Sequence, residues 1–425
     1  MKAIRSFAAL FLALTVLVCM ALPTAAFADD VVIRFMTWEG EAMNKAILAT
    51  MDKFMAENPG IKVELEPSPL TDYGIKLQEM LAAGIAPDIF MVGNDMALNY
   101  DANELVLDLK PFLDADPDFV KGFYPGVLVT YTNGERVVGL PGLINMYGIF
   151  YNKQFFDDAG LTYPAIGWTY ADMVAAAEAL KDTASGRFGL CHKGNDVFQT
   201  AIYSASKDGS GFCDAIFPVS KVQASNSFRE GVTLISGAIK SGAITPPTWD
   251  ETNITANFMQ GAIPMFKYGQ WAADEIIRNA PDTLKWGYAP SPLVNKNAQI
   301  IDAVGWCINA QPSNAEAAFK VLKFLESETY KEVLGQTPVA PPAFMAAAEG
   351  YYAKLTEAGA KDMADALDYM LNAEIKLPVR FLDPWGAKAQ KFLEAEWNTF
   401  ITGERPVAEL DALVTEINEV IESSK

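Results

Sequence analysis

Val31-Val32-Ile33-Arg34-Phe35-Met36, Ile61-Lys62-Val63-Glu64-Leu65 and Pro87-Asp88-Ile89-Phe90-Met91-Val92 are the three runs that decide the fold. The second alternates apolar and charged residues, as a half-buried strand does, and the third ends in four apolar residues, as a strand covered on both faces does. Between the first two, Met43, Ile47, Met51 and Phe54 recur at helical spacing until Asn58-Pro59-Gly60 stops them. Between the second and third, Tyr73, Leu77, Met80 and Leu81 do the same and end at Gly84. Strands separated by single helices imply right-handed crossovers and an open, largely parallel sheet. Ligands of such sheets lie at the carboxyl ends of the strands. The loops in those places are residues 37–40 with Trp38-Glu39, residues 68–72, and Gly93-Asn94-Asp95.

Further along, Gly139-Leu140-Pro141-Gly142 breaks the chain before a strand at Ile149-Phe150-Tyr151-Asn152, and Pro290-Ser291-Pro292 breaks it again. A strand is expected at about 300–309, then a helix opened by a Ser313/Glu316 capping box. From about Ala343 onward the sequence is Ala-rich and helical, with no internal repeat. At the other end, Lys2 and Arg5 precede a nearly unbroken apolar run at 7–22, shorter than the ~20 residues of a membrane span. Pro23 and Ala26-Phe27-Ala28 then give the pattern of a cleavable signal peptide, residues 1–28, with a mature start at Asp29. Val18 before Cys19 does not suit a lipid-attachment site.

The 425 residues suffice for two domains. A formal net charge of −20 argues against nucleic acid as a partner, since phosphates need a basic face. A single histidine, His192, leaves no material for two-His zinc sites or His-rich iron sites, and it reads as a loop histidine more than as a general base. No GxGxxG, P-loop or GxSxG motif occurs, and no metal or cofactor is expected. The mature chain holds Cys191, Cys213 and Cys307 without a CxxC. Export permits a Cys191–Cys213 disulfide; three free, mostly buried thiols are the alternative, and Cys307 reads as buried.

Five stretches carry a resemblance. They are Phe54-x-x-Glu57-Asn58-Pro59-Gly60-Ile61-Lys62-Val63; Leu77-x-x-Met80-Leu81-Ala82-Ala83-Gly84-x-x-Pro87-Asp88-Ile89; Gly139-Leu140-Pro141 followed by Tyr151-Asn152-Lys153 and Ala159-Gly160-Leu161; Trp168-Thr169-Tyr170-x-Asp172; and Phe258-x-x-Gly261-x-x-x-Met265-x-x-x-Gly269-x-Trp271. In this order the chain resembles the family 1 extracellular solute-binding proteins of ABC importers, the group that includes the maltodextrin-binding protein. The resemblance implies an α/β, two-lobe periplasmic-binding-protein clamshell. Each lobe would be a mixed sheet flanked by helices, with the chain crossing several times. It assigns residues 29–140 and 300–342 to lobe 1, and 141–299 and 343–425 to lobe 2. It also implies a periplasmic monomer that captures a sugar and docks on the membrane permease of an ABC importer.

Sugar sites need flat apolar surfaces for ring C–H faces and planar polar groups for hydroxyls. Loops pairing the two types are Trp38-Glu39, Asn94-Asp95, Asn145 with Tyr147, Asn195-Asp196, Gln270-Trp271, Gly305-Trp306 and Asp383-Pro384-Trp385. The resemblance places Trp271 at the family's G-x-W tryptophan and Trp385 at a C-terminal aromatic. Asn145 stands where the maltodextrin-binding protein has an acidic residue, so a different ligand is implied. Trp168, Tyr151, Trp286 and Asp88 read as structural. Polyamine sites mix the same residue types, so that ligand class stays open. The second functional class is a secreted glycoside hydrolase built on paired carboxylates.

Overall fold

The computed structural model describes residues 30–192 and 197–424. The expected signal peptide, Cys19, Asn195 and Asp196 lie outside the described residues. The strands in chain order are β1 (Val31–Thr37), β2 (Ile61–Pro67), β3 (Ile89–Gly93), β4 (Leu140–Asn145), β5 (Tyr147–Asn152) and β6 (Leu190–His192). Then come β7 (Met265–Gly269), β8 (Trp286–Ala289), β9 (Ala298–Ile300), β10 (Asp302–Ile308) and β11 (Ile375–Leu377). A short hairpin at 132–137 stands apart.

The first large sheet has the order β2-β1-β3-β10-β4. Its β1–β2 and β1–β3 pairs are parallel, as the helical crossovers require. β10 then enters antiparallel to β3, and β4 antiparallel to β10, so the sheet is mixed. Helix α1 (Glu41–Glu57) covers it with Met43, Ile47, Met51 and Phe54, the stripe seen in the sequence. Helix α2 (Leu70–Ala82) adds Tyr73, Leu77 and Leu81, and α3 (Asn94–Ala102) follows β3 directly. Asp88 is structural: its carboxylate accepts from the backbone N–H of Arg34 (2.8 Å) and Ser313 (2.5 Å). Ser313 therefore does not cap the next helix. Asn314 does, its Oδ1 accepting from the Ala317 N–H at 3.0 Å.

The second sheet has the order β8-β5-β7-β6. The chain passes from one sheet to the other across a single residue. Asn145 is still paired with Asp302 in the first sheet, and Tyr147 is already paired with Gly269 in the second. Met146 between them is buried, and Gln270 holds it twice. Gln270 Oε1 accepts from the Met146 N–H (2.7 Å), and the Gln270 N–H donates to the Met146 carbonyl (3.1 Å). The return passage runs through a small parallel pair, β9–β11, whose next residue, Ile301, donates to the Leu377 carbonyl. Trp168 is core, as expected, with its indole N–H on the Pro290 carbonyl.

Helices at 348–357 and 361–371 bridge the two halves. Gly350 packs against the Lys331 carbonyl on the first side. Asp362 receives Lys153 (3.4 Å) and lies 3.5 Å from the Tyr151 hydroxyl on the second. The last two helices, 386–401 and 410–423, cover the second core with Leu393, Trp397, Phe400, Leu413 and Ile417. Among the described residues no helix is long and apolar enough to cross a membrane.

Three expectations are corrected here. Cys191 and Cys213 are free thiols, not a disulfide. Cys191 lies in β6 on the first apolar core, whereas Cys213 packs on the second, so their side chains face different neighbours. Burial pushes the Cys191 thiol up to about 12, which keeps it inert. His192 is not an exposed loop residue but the buried last residue of β6. Trp306 does not line a cleft. It is 0% exposed in the middle of the first sheet, opposite Met91 and Leu140, with its N–H on the Tyr330 hydroxyl (3.0 Å).

Candidate functional site

The expected loops converge at the ends of both sheets. After β1, the buried Thr37 hydroxyl accepts from the Glu39 N–H (3.1 Å), and the Asn44 side-chain amide donates to the Glu39 carbonyl (2.7 Å). This pins Trp38 and Glu39 at the sheet end. The Trp38 ring meets Tyr73 edge-on, with centroids 4.9 Å apart. Tyr73 is itself fixed by its hydroxyl, which donates to the Met91 carbonyl at 2.7 Å. Glu39 lies near enough to Asp274 of α4 (Ala272–Asn279), the helix that begins just after Trp271, for the two charges to interact. Burial, with the Asp274 charge adding to it, pushes the Glu39 carboxyl up to about 7.

After β3, Asn94 opens α3 and its side chain accepts from the Asp95 N–H (3.0 Å). Asp95 pairs with Arg380 (3.2 Å), and the same guanidinium pairs with Asp302 (3.0 Å). Burial raises the Asp302 carboxyl and Arg380 opposes the rise. Burial would lower the Arg380 guanidinium, but the Asp302 and Asp95 charges outweigh it and raise it. Arg380, two residues past Pro378, thus ties the end of β3 to the passage between the sheets.

On the second sheet, β7 ends at Gly269. A Cβ there would collide with the six-membered ring of Trp271, so the space at Gly269 is filled by Trp271 itself and not by an approaching ligand. Trp271 meets Tyr147 (5.5 Å, 84°) and Tyr268 (5.4 Å, 64°) edge to face. Gln270, which holds Met146, also reaches Asn145 Oδ1 at 3.3 Å. Asp274 gives one oxygen to Arg278 (2.5 Å); the other, Oδ1, is buried without a hydrogen-bond partner. A cavity of about 580 Å³ lies at the same end of this sheet, where β6 runs parallel to β7. Its polar and aromatic lining includes His192, Trp249, Glu251, Gln390, Glu394 and Trp397. Glu251 and Tyr268 also line a neighbouring depression, and Tyr268 packs edge to face on Trp271.

Trp38, Glu39, Asn94, Asp95, Asn145, Tyr147 and Trp271 are therefore brought together, while Trp306 is not. Asp383 accepts from the Val219 N–H (3.2 Å), a structural contact, and Trp385 is half-buried against Phe381 (4.8 Å) at the start of the 386–401 helix. Sequence reading missed Arg380, Asp274 and the cavity side chains. Gln390, Glu394 and Trp397 stand at i, i+4 and i+7 of one helix, a mixed polar and aromatic stripe that was open to reading. Among the described residues no group of three His, Cys, Asp or Glu side chains is placed to hold a metal.

Two α/β lobes that present rings, carboxylates and amides where they meet, with a one-residue passage between them, form a two-lobe binding protein. The chain belongs to the family described as bacterial extracellular solute-binding protein, whose profile matches residues 49–373. It is 24% identical over 292 residues to a putative binding protein of Brucella abortus, covering 65% of this chain and 67% of that one. Its fold is similar to the ABC substrate-binding protein of Listeria monocytogenes solved in complex with cycloalternan (TM-score 0.74, 22% identity, 93% of this chain and 98% of that one). It is also similar to the cyclic alpha-maltosyl-1,6-maltose binding protein of Arthrobacter globiformis (TM-score 0.75, 20% identity, 93% and 100%).

Proposed function

We propose that the protein captures a carbohydrate, mono- or oligosaccharide, outside the cytoplasm and delivers it to the permease of an ABC importer. A cleavable peptide at 1–28 would export it to the periplasm as a monomer. The lobe bounds read from the sequence, 29–140 with 300–342 and 141–299 with 343–425, shift at the first passage, because Leu140–Asn145 pairs within the first sheet and the chain crosses at Met146. The observation that carries the reading is the continuous polar and aromatic set drawn from both sheets: Trp38 and Glu39 on one side, Tyr147, Trp271 and Asp274 on the other. Rings of this kind cover the apolar faces of a sugar, and carboxylates accept from its hydroxyls, whose burial without partners would cost roughly 1–3 kcal/mol each. The ligands named for the two similar structures, cycloalternan and a cyclic maltosyl-maltose, support the carbohydrate class. A ligand touching both lobes favours the closed form by its differential contacts, with no covalent step.

A melting-temperature panel of sugars, sugar alcohols and polyamines, followed by calorimetry, tests this. A sugar is expected to raise the melting temperature in a concentration-dependent way. If no saccharide in the panel shifts it, the reading fails. Release of reducing sugar from an oligosaccharide by the purified protein would instead favour a glycosidase.

A further inference from the structure

We infer that the captured carbohydrate is an oligosaccharide, with one end in the cavity at the end of β6 and β7 and its next ring at the junction of the two sheets. The inference rests on the carbohydrate reading above. The cavity, about 580 Å³, is too large for a single ring. The roughly twelve heavy atoms of a hexose, each taking less than the ~30 Å³ of a water in the liquid, fill under ~360 Å³. Two flat faces and a polar ledge line it. Trp397 is a fixed wall, 3% exposed and packed on Phe228. Trp249 stands half-buried on a loop stiffened by Pro246-Pro247, with its backbone N–H on the Pro246 carbonyl (3.0 Å). Gln390 and Glu394 share a helix face with Trp397, and the Gln390 amide donates to Glu394 at 2.8 Å. Asp250 accepts from the Thr252 backbone N–H (3.0 Å) and hydroxyl (2.6 Å). These acceptors are held in place before a ligand arrives, which lowers the ordering cost of binding, and each carboxylate keeps lone pairs for sugar hydroxyls.

The cavity borders the passage between the halves. Val379 lines it, and the next residue, Arg380, pairs with Asp95 and Asp302 at the first sheet. Glu251 lines both the cavity and the depression that Tyr268 shares, and Tyr268 packs on Trp271. Every residue lining the cavity belongs to the second sheet's half. A single ring seated there touches that half alone and gives closure no differential contact. A single ring at the junction leaves the cavity's apolar faces in water. A chain that runs from the cavity to Trp271 and Tyr147 buries those faces and also makes the contacts that only the closed form completes.

The test is calorimetry on the mature chain with glucose, maltose, maltotriose and maltotetraose, and with β-1,4-linked series of glucose, xylose and mannose. In at least one series, affinity is expected to rise about tenfold or more from one ring to three, then to level off once both places are filled. Trp249→Ala and Glu394→Ala are each expected to reduce the trisaccharide-to-monosaccharide ratio severalfold. Glu394 is exposed, so its variant should fold even where Trp249→Ala does not, and melting curves check both. A single ring that binds as tightly as three would overturn the inference and leave the proposed function standing. So would a gain with length that survives the substitutions. If no saccharide in any series binds, the proposed function falls, and the inference with it.

Discussion

Glu39 makes stability depend on pH in a predictable direction. Its folded-state value of about 7 lies above the ordinary 4.5. The stability this gives is fully present below 4.5 and is lost as pH rises to about 7, because only the folded chain still holds the proton in that window. The contribution is ~3 kcal/mol at most, at about 1.36 kcal/mol per unit of the difference. Glu39→Gln is expected to flatten the fall of melting temperature between pH 5 and 7.5, and an unchanged slope would remove Glu39 as its source. Gly269→Ala should displace the Trp271 ring and destabilise by about 1–3 kcal/mol. Near-ultraviolet dichroism reads the ring, and a wild-type spectrum would contradict the packing. Trp271→Ala should weaken sugar binding by about 2–4 kcal/mol, measured by calorimetry. At this scale the sequence was informative about residue types near strand ends, since Trp38, Asp95 and Trp271 all sit where β1, β3 and β7 stop. It was silent on Arg380, whose role depends on Asp95 and Asp302 arriving from far along the chain.

Among the elements, the segment Leu325–Thr329 departs from regular helix. It is a π-helical turn between 315–324 and 330–333. The turn is followed by Tyr330, which receives the Trp306 indole N–H, and it places Thr329 within 2.9 Å of Thr50. It also buries Glu326, with neither carboxylate oxygen hydrogen-bonded and burial pushing the group well above its usual range. Glu326→Leu is expected to stabilise the protein by ~1–2 kcal/mol, read as a higher denaturation midpoint. A loss of stability would show that the carboxyl has a favourable role in the core. The first two crossover helices were legible because their apolar stripes meet one sheet face. β10 was legible as a strand but not in its orientation. A central strand is covered on both faces, so periodicity alone cannot tell a core tryptophan such as Trp306 from one at a cleft.

For the whole molecule, the fold class followed from the order of strands and helices, whereas the joins between halves did not. A passage as short as Met146 leaves no Gly/Pro signature of its own; it is defined by the partners Asn145 and Tyr147 find in different sheets. Small-angle scattering is expected to show a smaller radius of gyration at saturating ligand, and an unchanged radius would argue against closure. Arg380→Ala removes the counter-charge of buried Asp302 and should cost ~2–4 kcal/mol, somewhat below a fully buried pair because Arg380 is partly exposed. A melting temperature like wild type would show the pair to be dispensable. The hold of Gln270 on Met146 gives the molecule one more property. The residue that grips the pivot is bonded directly to Trp271, whose indole lies against two tyrosines. Trp38, packed on Tyr73 at the end of the first sheet, lies on the other half, so any turn of one half on the other changes the separation of two intrinsic fluorophores. Unlabelled protein carries its own optical gauge of the angle between its halves, usable as a sensor without an attached dye.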